Sequence, residues 1–109
     1  MSMDETLKNQ IQQDITEHPV MLYMMGTPES PQCGFSSKVT EILNGHGITF
    51  GSKDVLADEN LREGIKEFSN WPTVPQLYIN GKFVGGCDII TELAGSGELK
   101  KLLEQPQAT

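Results

Sequence analysis

The sequence is short of cysteine, of positive charge and of long apolar runs. Its 109 residues hold two cysteines, Cys33 and Cys87. Two are too few for a framework of structural bridges, and a chain of this length can build one core without metal or disulfide staples. Lysine and arginine number 8 against 15 aspartates and glutamates, a formal net charge of -7. An acidic chain this small is a poor match for a phosphate backbone, so no nucleic acid partner is expected. No apolar stretch approaches the length that crosses a bilayer, so no membrane role is expected either. The opening "MSMDETLKNQ" lacks the apolar stretch of a signal peptide, and Asp4 and Glu5 argue against a transit peptide. A reducing, cytoplasmic setting follows as the expectation. There, both cysteines are free or reactive rather than a structural pair. His18 and His46 lack a second ligand at metal spacing and read as surface residues.

What is present is one alternating pattern over residues 1–109, with no repeat, low-complexity tract or linker, and it reads as a single domain. Met3, Leu7, Ile11 and Ile15 recur every four residues, one stripe of a helix that His18-Pro19 ends. "VMLYM" is too short for a helix and reads as a buried strand. "GTPESPQ" is a loop by composition. Phe35, Val39, Ile42 and Leu43 space a second helix, stopped by "NGHG". "ITFGSKDVL" reads as a strand, and the helix before it predicts a parallel, right-handed crossover. Asp58 caps a third helix whose inner stripe is Leu61, Ile65 and Phe68, with Gly64 counting slightly against it. "WPTVP" breaks the chain. "QLYI-NG-KFVG" places two short strands around Asn-Gly, the preferred pair of a type I′ hairpin. Ile89, Ile90 and Leu93 mark a fourth helix; after "GSG", Leu99, Leu102 and Leu103 mark a fifth. The order α-β-α-β-α-β-β-α-α predicts a small mixed sheet with helices on both faces.

Chemistry concentrates at "PQCGFSS". Cys33 stands where loop turns into helix, and the amides and dipole there favour an anion. A thiol so placed loses its proton more easily, and the thiolate is both nucleophile and metal ligand. A free cysteine is most commonly a small buried hydrophobe. Pro31 and Gly34 shape a turn near the surface and weaken that alternative, which leaves the two level. Ser36, three positions on, cannot close the ring that a Cys-x-x-Cys pair closes. A mixed disulfide on Cys33 then needs an outside thiol, or Cys87, to resolve it. Ser36 is equally an ordinary polar residue of a first helical turn.

"TVP" and "GGCD" supply further candidates. A proline entering a strand after a β-branched residue is a candidate cis peptide. It can leave the N–H and C=O of Val74 open to a peptide-like ligand, as in strand addition. By spacing alone, a trans Pro75 starting an edge strand is favoured. Gly85-Gly86 lets a ligand approach the backbone closely. Asp88 reads first as the N-cap of its helix, a role compatible with binding a ligand ammonium group. Arg62 and Lys66, four apart, repel mildly unless an anion is bound. Asp58, Glu59 and Glu63 lie at salt-bridge spacing from them, and neutralisation by these acids is the favoured alternative.

Together, "LYMMGTPESPQCGFS", "NWPTVPQLYINGKFVGGCDI" and the helix between them resemble one family, the monothiol glutaredoxins of the CGFS class. CGFS alone is a weak match. With WPT-x-PQL and GGCD in this order the match is specific, and it runs from the first helix to "GELKKLLE". The likeness is to the short bacterial form, without the thioredoxin-like domain of longer relatives. It implies an α/β, thioredoxin-like fold: a four-stranded mixed sheet flanked by helices on both faces. It implies glutathione binding, with Cys33 facing the glutathione thiol. Val74, before a cis Pro75, would pair with the glutathione backbone. Gly86, Cys87 and Asp88 would hold the γ-glutamyl end, and Arg62 would meet the glycine carboxylate.

The resemblance also implies a [2Fe-2S] cluster bridging a homodimer, held by one Cys33 per protomer and one glutathione thiol beside each. Such a protein stores clusters and passes them to iron–sulfur acceptor proteins, and BolA-like proteins can replace half of the homodimer. The alternative within the family is a glutathione-dependent oxidoreductase that reduces protein–glutathione mixed disulfides by a monothiol route, at most a weak enzyme. An inactive interaction module fits less well, because the thiol and the glutathione motifs are intact. One position departs from the family. Met25 stands where a lysine is usual, near the glutathione carboxylate and the thiol. Methionine has neither charge nor donor, which predicts weaker glutathione binding rather than its loss.

Overall fold

The computed structural model describes residues 5–104. Met3, the first residue of the predicted helical stripe, lies outside the described residues. Five helices and a four-stranded sheet follow the expected order. They are α1 (Glu5–Glu17), β1 (Val20–Met24), α2 (Gly34–Gly45), β4 (Gly51–Asp54), α3 (Glu59–Ser69), β5 (Gln76–Ile79), β6 (Lys82–Gly85), α4 (Cys87–Ser96) and α5 (Glu98–Glu104). The sheet order is β4-β1-β5-β6. β4 runs parallel to β1, as the crossover requires, while β5 is antiparallel to both β1 and β6.

Two departures from the pattern have local causes. "GTPESPQ" contains a minimal antiparallel pair, β2 (Gly26–Thr27) and β3 (Ser30–Pro31), too short to show any periodicity. The predicted strand at "ITFGSKDVL" is ordered as strand only over Gly51–Asp54, the part that pairs with Met21–Met24. Ile48 and Phe50, just before it, pack against the core instead of extending the strand.

β1 is buried at every residue because it is central and covered on both faces. Its side chains alternate between two cores. Val20, Leu22 and Met24 join Val39, Leu43, Leu77, Ile90 and Leu99 on the side of α2, α4 and α5. Met21 and Tyr23 join Ile11, Ile15, Leu61, Ile65 and Tyr78 on the side of α1 and α3. The second core holds a buried polar centre. Asp14 Oδ2 accepts from the Tyr23 hydroxyl at 3.1 Å and pairs with Lys53 Nζ at 3.2 Å, while Gln10 Nε2 donates to Oδ1 at 3.1 Å. That centre ties α1 to β1 and β4. Burial, and then the nearby Asp14 charge, raise the Tyr23 phenol above its ordinary range.

The hairpin between β5 and β6 turns on Asn80 and Gly81, at φ 52° and 79°. Two consecutive positive φ values are what a type I′ turn demands. Asp58 caps α3 as expected, accepting from the Leu61 N–H at 3.2 Å.

Candidate functional site

The ends of β1 and β5 and the starts of α2 and α4 meet at one side of the sheet. They border a cleft of about 420 Å³ that Arg62 and Lys66 of α3 also line. Cys33, Arg62, Val74, Pro75, Gly86, Cys87, Asp88 and Met25 all line it. The residues that the family likeness assigns to the ligand are therefore in one place. Phe35, Lys66, Trp71, Pro72, Thr73 and Ile89 complete the lining.

Cys33 is the N-cap of α2, in extended conformation, and its side chain makes no capping hydrogen bond. The first helical bond runs from the Ser37 N–H to the Cys33 C=O at 2.9 Å. The amides of Gly34, Phe35 and Ser36 thus have no partner within the helix, and the helix presents its positive end to the thiol. The thiol is free and half-buried, so it is not the core hydrophobe of the alternative reading. Beside it the Phe35 ring is 63% exposed, an unusual state for a large apolar side chain at the mouth of a cleft.

Ser36 turns the other way. It is fully buried, and its Oγ accepts the Met25 N–H at 3.0 Å. Its hydroxyl therefore belongs to the scaffold, not to the thiol. The Met25 C=O in turn accepts from the Gln32 N–H at 2.9 Å. The next residue, Gly26, lies at φ +89° and donates its N–H to Asp54 Oδ1 at 2.8 Å. The same oxygen accepts the Leu56 N–H at 2.8 Å. No side chain fits at Gly26, where a Cβ would stand 2.5 Å from the Ser30 carbonyl oxygen. The backbone on either side of Met25 is thus held at three points, and its side chain lines the cleft.

The Val74-Pro75 peptide is cis. That corrects the trans form favoured by spacing and agrees with the form the family likeness implies. Among the described residues no hydrogen bond reaches the N–H or C=O of Val74. Facing it, Gly86 approaches so closely that a Cβ would lie 3.2 Å from the Pro75 carbonyl oxygen and 3.3 Å from Trp71 Nε1. Gly86, not Asp88, is the N-cap of α4. The helix begins at Cys87, so Asp88 falls inside the first turn. There its carboxylate faces the helix dipole favourably and is not spent on a cap.

The two cations of α3 part company. Lys66 pairs with Glu63 at 3.5 Å, the neutralisation expected from spacing. Arg62 has no ion pair among the described residues, and its Nε is buried without a partner. Asp58, which was expected to balance it, is committed to the α3 cap. Trp71 Nε1 is a second buried donor without a partner. The cleft so combines a thiol, an unpaired loop backbone at Val74, an uncompensated guanidinium and, on α4, a carboxylate. This arrangement matches an extended, zwitterionic, thiol-bearing peptide. Among the described residues no three His, Cys, Asp or Glu side chains gather as a metal site.

Two residues that organise the site were not singled out as such by sequence reasoning. Gln76 is fully buried, and its amide reaches back to the loop before Pro75. Asp54 holds the Gly26 amide. The only advance signal was a polar residue in "PQLYI" and another in "SKDV", and each reads equally well as a solvent-facing position.

Comparison with known proteins agrees. The glutaredoxin family profile matches residues 20–84. An uncharacterized monothiol glutaredoxin ycf64-like protein of Synechocystis is 55% identical over 102 residues, 94% of this chain and 95% of that one. The mitochondrial monothiol glutaredoxin-5 of Saccharomyces cerevisiae is 50% identical over 111 residues, 99% of this chain and 74% of that one. The solution structure of reduced poplar apo GrxS14 superposes with a TM-score of 0.84 at 48% identity, covering 95% of each chain. Two plant relatives are much longer. The chain spans about a fifth of monothiol glutaredoxin-S11 of rice and of monothiol glutaredoxin-S17 of Arabidopsis, 21% of each.

Proposed function

The chain belongs to the glutaredoxin family, among its monothiol members and with their thioredoxin-like fold, and from that premise we propose that it binds glutathione and carries a [2Fe-2S] cluster in a homodimer. Its task on this proposal is to store clusters and hand them to iron–sulfur acceptor proteins. A BolA-like protein takes the place of one protomer in a second form of the complex. The setting is the cytoplasm, where thiols stay reduced. No helix among the described residues is long and apolar enough to cross a membrane.

The observation that carries the proposal is the company Cys33 keeps. A free thiol, an unpaired backbone edge at Val74 and an uncompensated Arg62 line one cleft. An extended glutathione pairs its backbone with Val74 and sets its glycine carboxylate at Arg62. Its γ-glutamyl end meets the start of α4, where Asp88 answers the ammonium group, and its thiol comes beside Cys33. The donor set fits the cluster by count. A [2Fe-2S] centre takes four ligands, normally thiolates. Each protomer presents Cys33 and a glutathione thiol, and two protomers complete the four. Ser36 supports this use of Cys33 because it offers no second thiol, so the reactive sulfur cannot be captured within its own helix. When bound, the cluster supplies iron and sulfide for transfer. The chain's part is to present one thiolate and orient one glutathione. Ligands that are half small molecule favour ready release.

The same thiol supports a second reading, favoured by its partial exposure. Cys33 thiolate attacks the glutathione sulfur of a protein–glutathione disulfide, forms a Cys33–glutathione disulfide and releases the protein thiolate. A second glutathione then attacks that disulfide, frees Cys33 and leaves as oxidised glutathione.

Anaerobic addition of iron, sulfide and glutathione separates the two. The cluster reading expects visible absorption, a shift from monomer to dimer, and loss of both in Cys33→Ser. Colour that survives the substitution would exclude Cys33 as ligand. No colour, together with turnover in a glutathione-coupled disulfide assay, would leave the oxidoreductase.

A further inference from the structure

The ligand-pairing edge at Val74 belongs to a loop with little regular structure of its own. Something must hold it. Gln76 is the first residue of β5, and its backbone is in register with Tyr23 of the central strand. Its side chain is fully buried and reaches backwards. Nε2 donates to the Thr73 C=O at 3.0 Å and to the Trp71 C=O at 3.3 Å. Oε1 accepts from the Tyr78 hydroxyl at 3.2 Å. A carboxamide has two N–H donors, and here each has a carbonyl. The orientation is fixed by the partners: carbonyls can only accept, and reversing the amide would set oxygen against two oxygens.

We infer that Gln76 is the positioning residue of the ligand site. It clamps residues 71 and 73 to the sheet, and the peptide groups of Val74 are left pointing away, unpaired and ready for a ligand backbone. Gln76 does not touch the ligand. It acts by fixing the loop in advance, so that binding does not have to order it. Tyr78 serves a different purpose. Its ring packs against Tyr23, Phe68 and Phe83, and its hydroxyl satisfies Oε1 without a direct hydrogen bond to residues 71–74. The inference rests on the glutathione reading for its ligand, and its test separates the two.

The test compares Gln76→Met with Tyr78→Phe, both close in shape to the original side chain. Each leaves a buried polar atom without a partner, so both lose stability. Only the first frees the Trp71 and Thr73 carbonyls, while the Trp71 N–H, bonded to the Lys66 C=O and Ser69 Oγ, keeps the start of the loop on α3. At a temperature where both variants are folded, glutathione binding by calorimetry is expected to weaken about tenfold or more in Gln76→Met, the equivalent of one buried hydrogen bond. It is expected to change less than about threefold in Tyr78→Phe, since the loop carbonyls keep their donors. Equal losses, or no loss in Gln76→Met, would overturn the inference.

The amide signal of Val74 in the ligand-free protein gives an independent readout. It should keep its position and sharpness in Tyr78→Phe and lose both in Gln76→Met. If the parent protein binds no glutathione, the ligand assignment fails, and this signal alone decides whether Gln76 positions the loop. Should Gln76→Met not fold, Gln76→Glu replaces it. Burial pushes the introduced carboxyl's pKa up, and its protonated form regains one donor. Glutathione affinity should then rise as pH falls from 8 to 5, and a flat profile would overturn the inference.

Discussion

Ser36→Ala is the sharpest test of how the site is supported. The substitution removes one oxygen from a fully buried position and leaves a methyl group in its place. That oxygen is the acceptor for the Met25 N–H at 3.0 Å, and the Met25 carbonyl is already engaged by Gln32. Among the described residues no other group accepts from the Met25 amide, so the substitution leaves it without a partner. An orphaned buried donor costs about 1–3 kcal/mol. The bond is only partly buried, which places the expected loss at about 1–2 kcal/mol. A domain of this size loses about 4–8 °C of Tm per kcal/mol, so a drop of roughly 5–15 °C is expected. Ser37→Ala, next along the same helix, is the control and should stay within about 0.5 kcal/mol. Urea unfolding of the three proteins, compared at constant m, gives the numbers. A Ser36→Ala loss no larger than the control's would refute the claim that this hydroxyl supports the site loop.

Three further outcomes follow from the same geometry. Met25→Lys should bind glutathione about tenfold more tightly by calorimetry, because a charge-assisted hydrogen bond replaces a thioether at the cleft; an unchanged Kd would remove position 25 from the ligand's reach. Gly26→Ala should destabilise by about 2–3 kcal/mol in urea, combining a positive φ with a Cβ at 2.5 Å from the Ser30 oxygen; a loss below about 1 kcal/mol would show that the loop yields. Stability should also fall in alkali. Burial pushes the Tyr78 phenol up to about 12, and Tyr23 is raised by burial and by Asp14. The unfolded chain ionises both near pH 10, whereas the folded chain does not. Their contribution is therefore complete below pH 10 and declines as pH rises from there towards 12. Denaturant melts between pH 9 and 11 should show this slope, reduced in Tyr78→Phe, and a slope unchanged by the substitution would contradict it.

Much of this was legible in the sequence where a local rule had no competitor. Asn80-Gly81 could hardly be anything but a type I′ hairpin, because few other pairs tolerate two positive φ values. Strand β1 was legible as buried because five apolar residues in a row leave no face for water. The cleft residues could be gathered only through family likeness, since Cys33, Arg62, Val74 and Asp88 are separated by whole elements and their meeting is a property of the sheet. What stayed hidden has a common cause. Gln76, Ser36 and Asp54 are polar residues whose partners are backbone amides or carbonyls. A backbone group has no letter in the sequence, so nothing marks a serine as the acceptor for Met25 rather than a residue turned to solvent. The Asp88 cap was misplaced by a related ambiguity. Glycine, with no side chain to form a cap, took the boundary position, and the acid two residues on looked like the better candidate. By spacing alone Arg62 reads as neutralised, because three nearby acids make that look easy, and only the family likeness assigns it to a ligand. One of them was needed to start the helix, and another took Lys66.

The mounting of Met25 has a consequence for how such a protein can change. The residue is fixed through its own main-chain N–H and C=O, which every amino acid but proline possesses in full. What the fold asks of the side chain is an apolar stem, because Met25 packs against the edge of the α1/α3-side core, and a lysine's methylenes can cover the same surface. The backbone there is a fixed socket, and the side chain is a tip that lines the same cleft as Cys33. A lineage can exchange a cation for a thioether at that tip by a single substitution while strand, loop and helix keep their places. Charge at the thiol can then drift, or be selected, on its own.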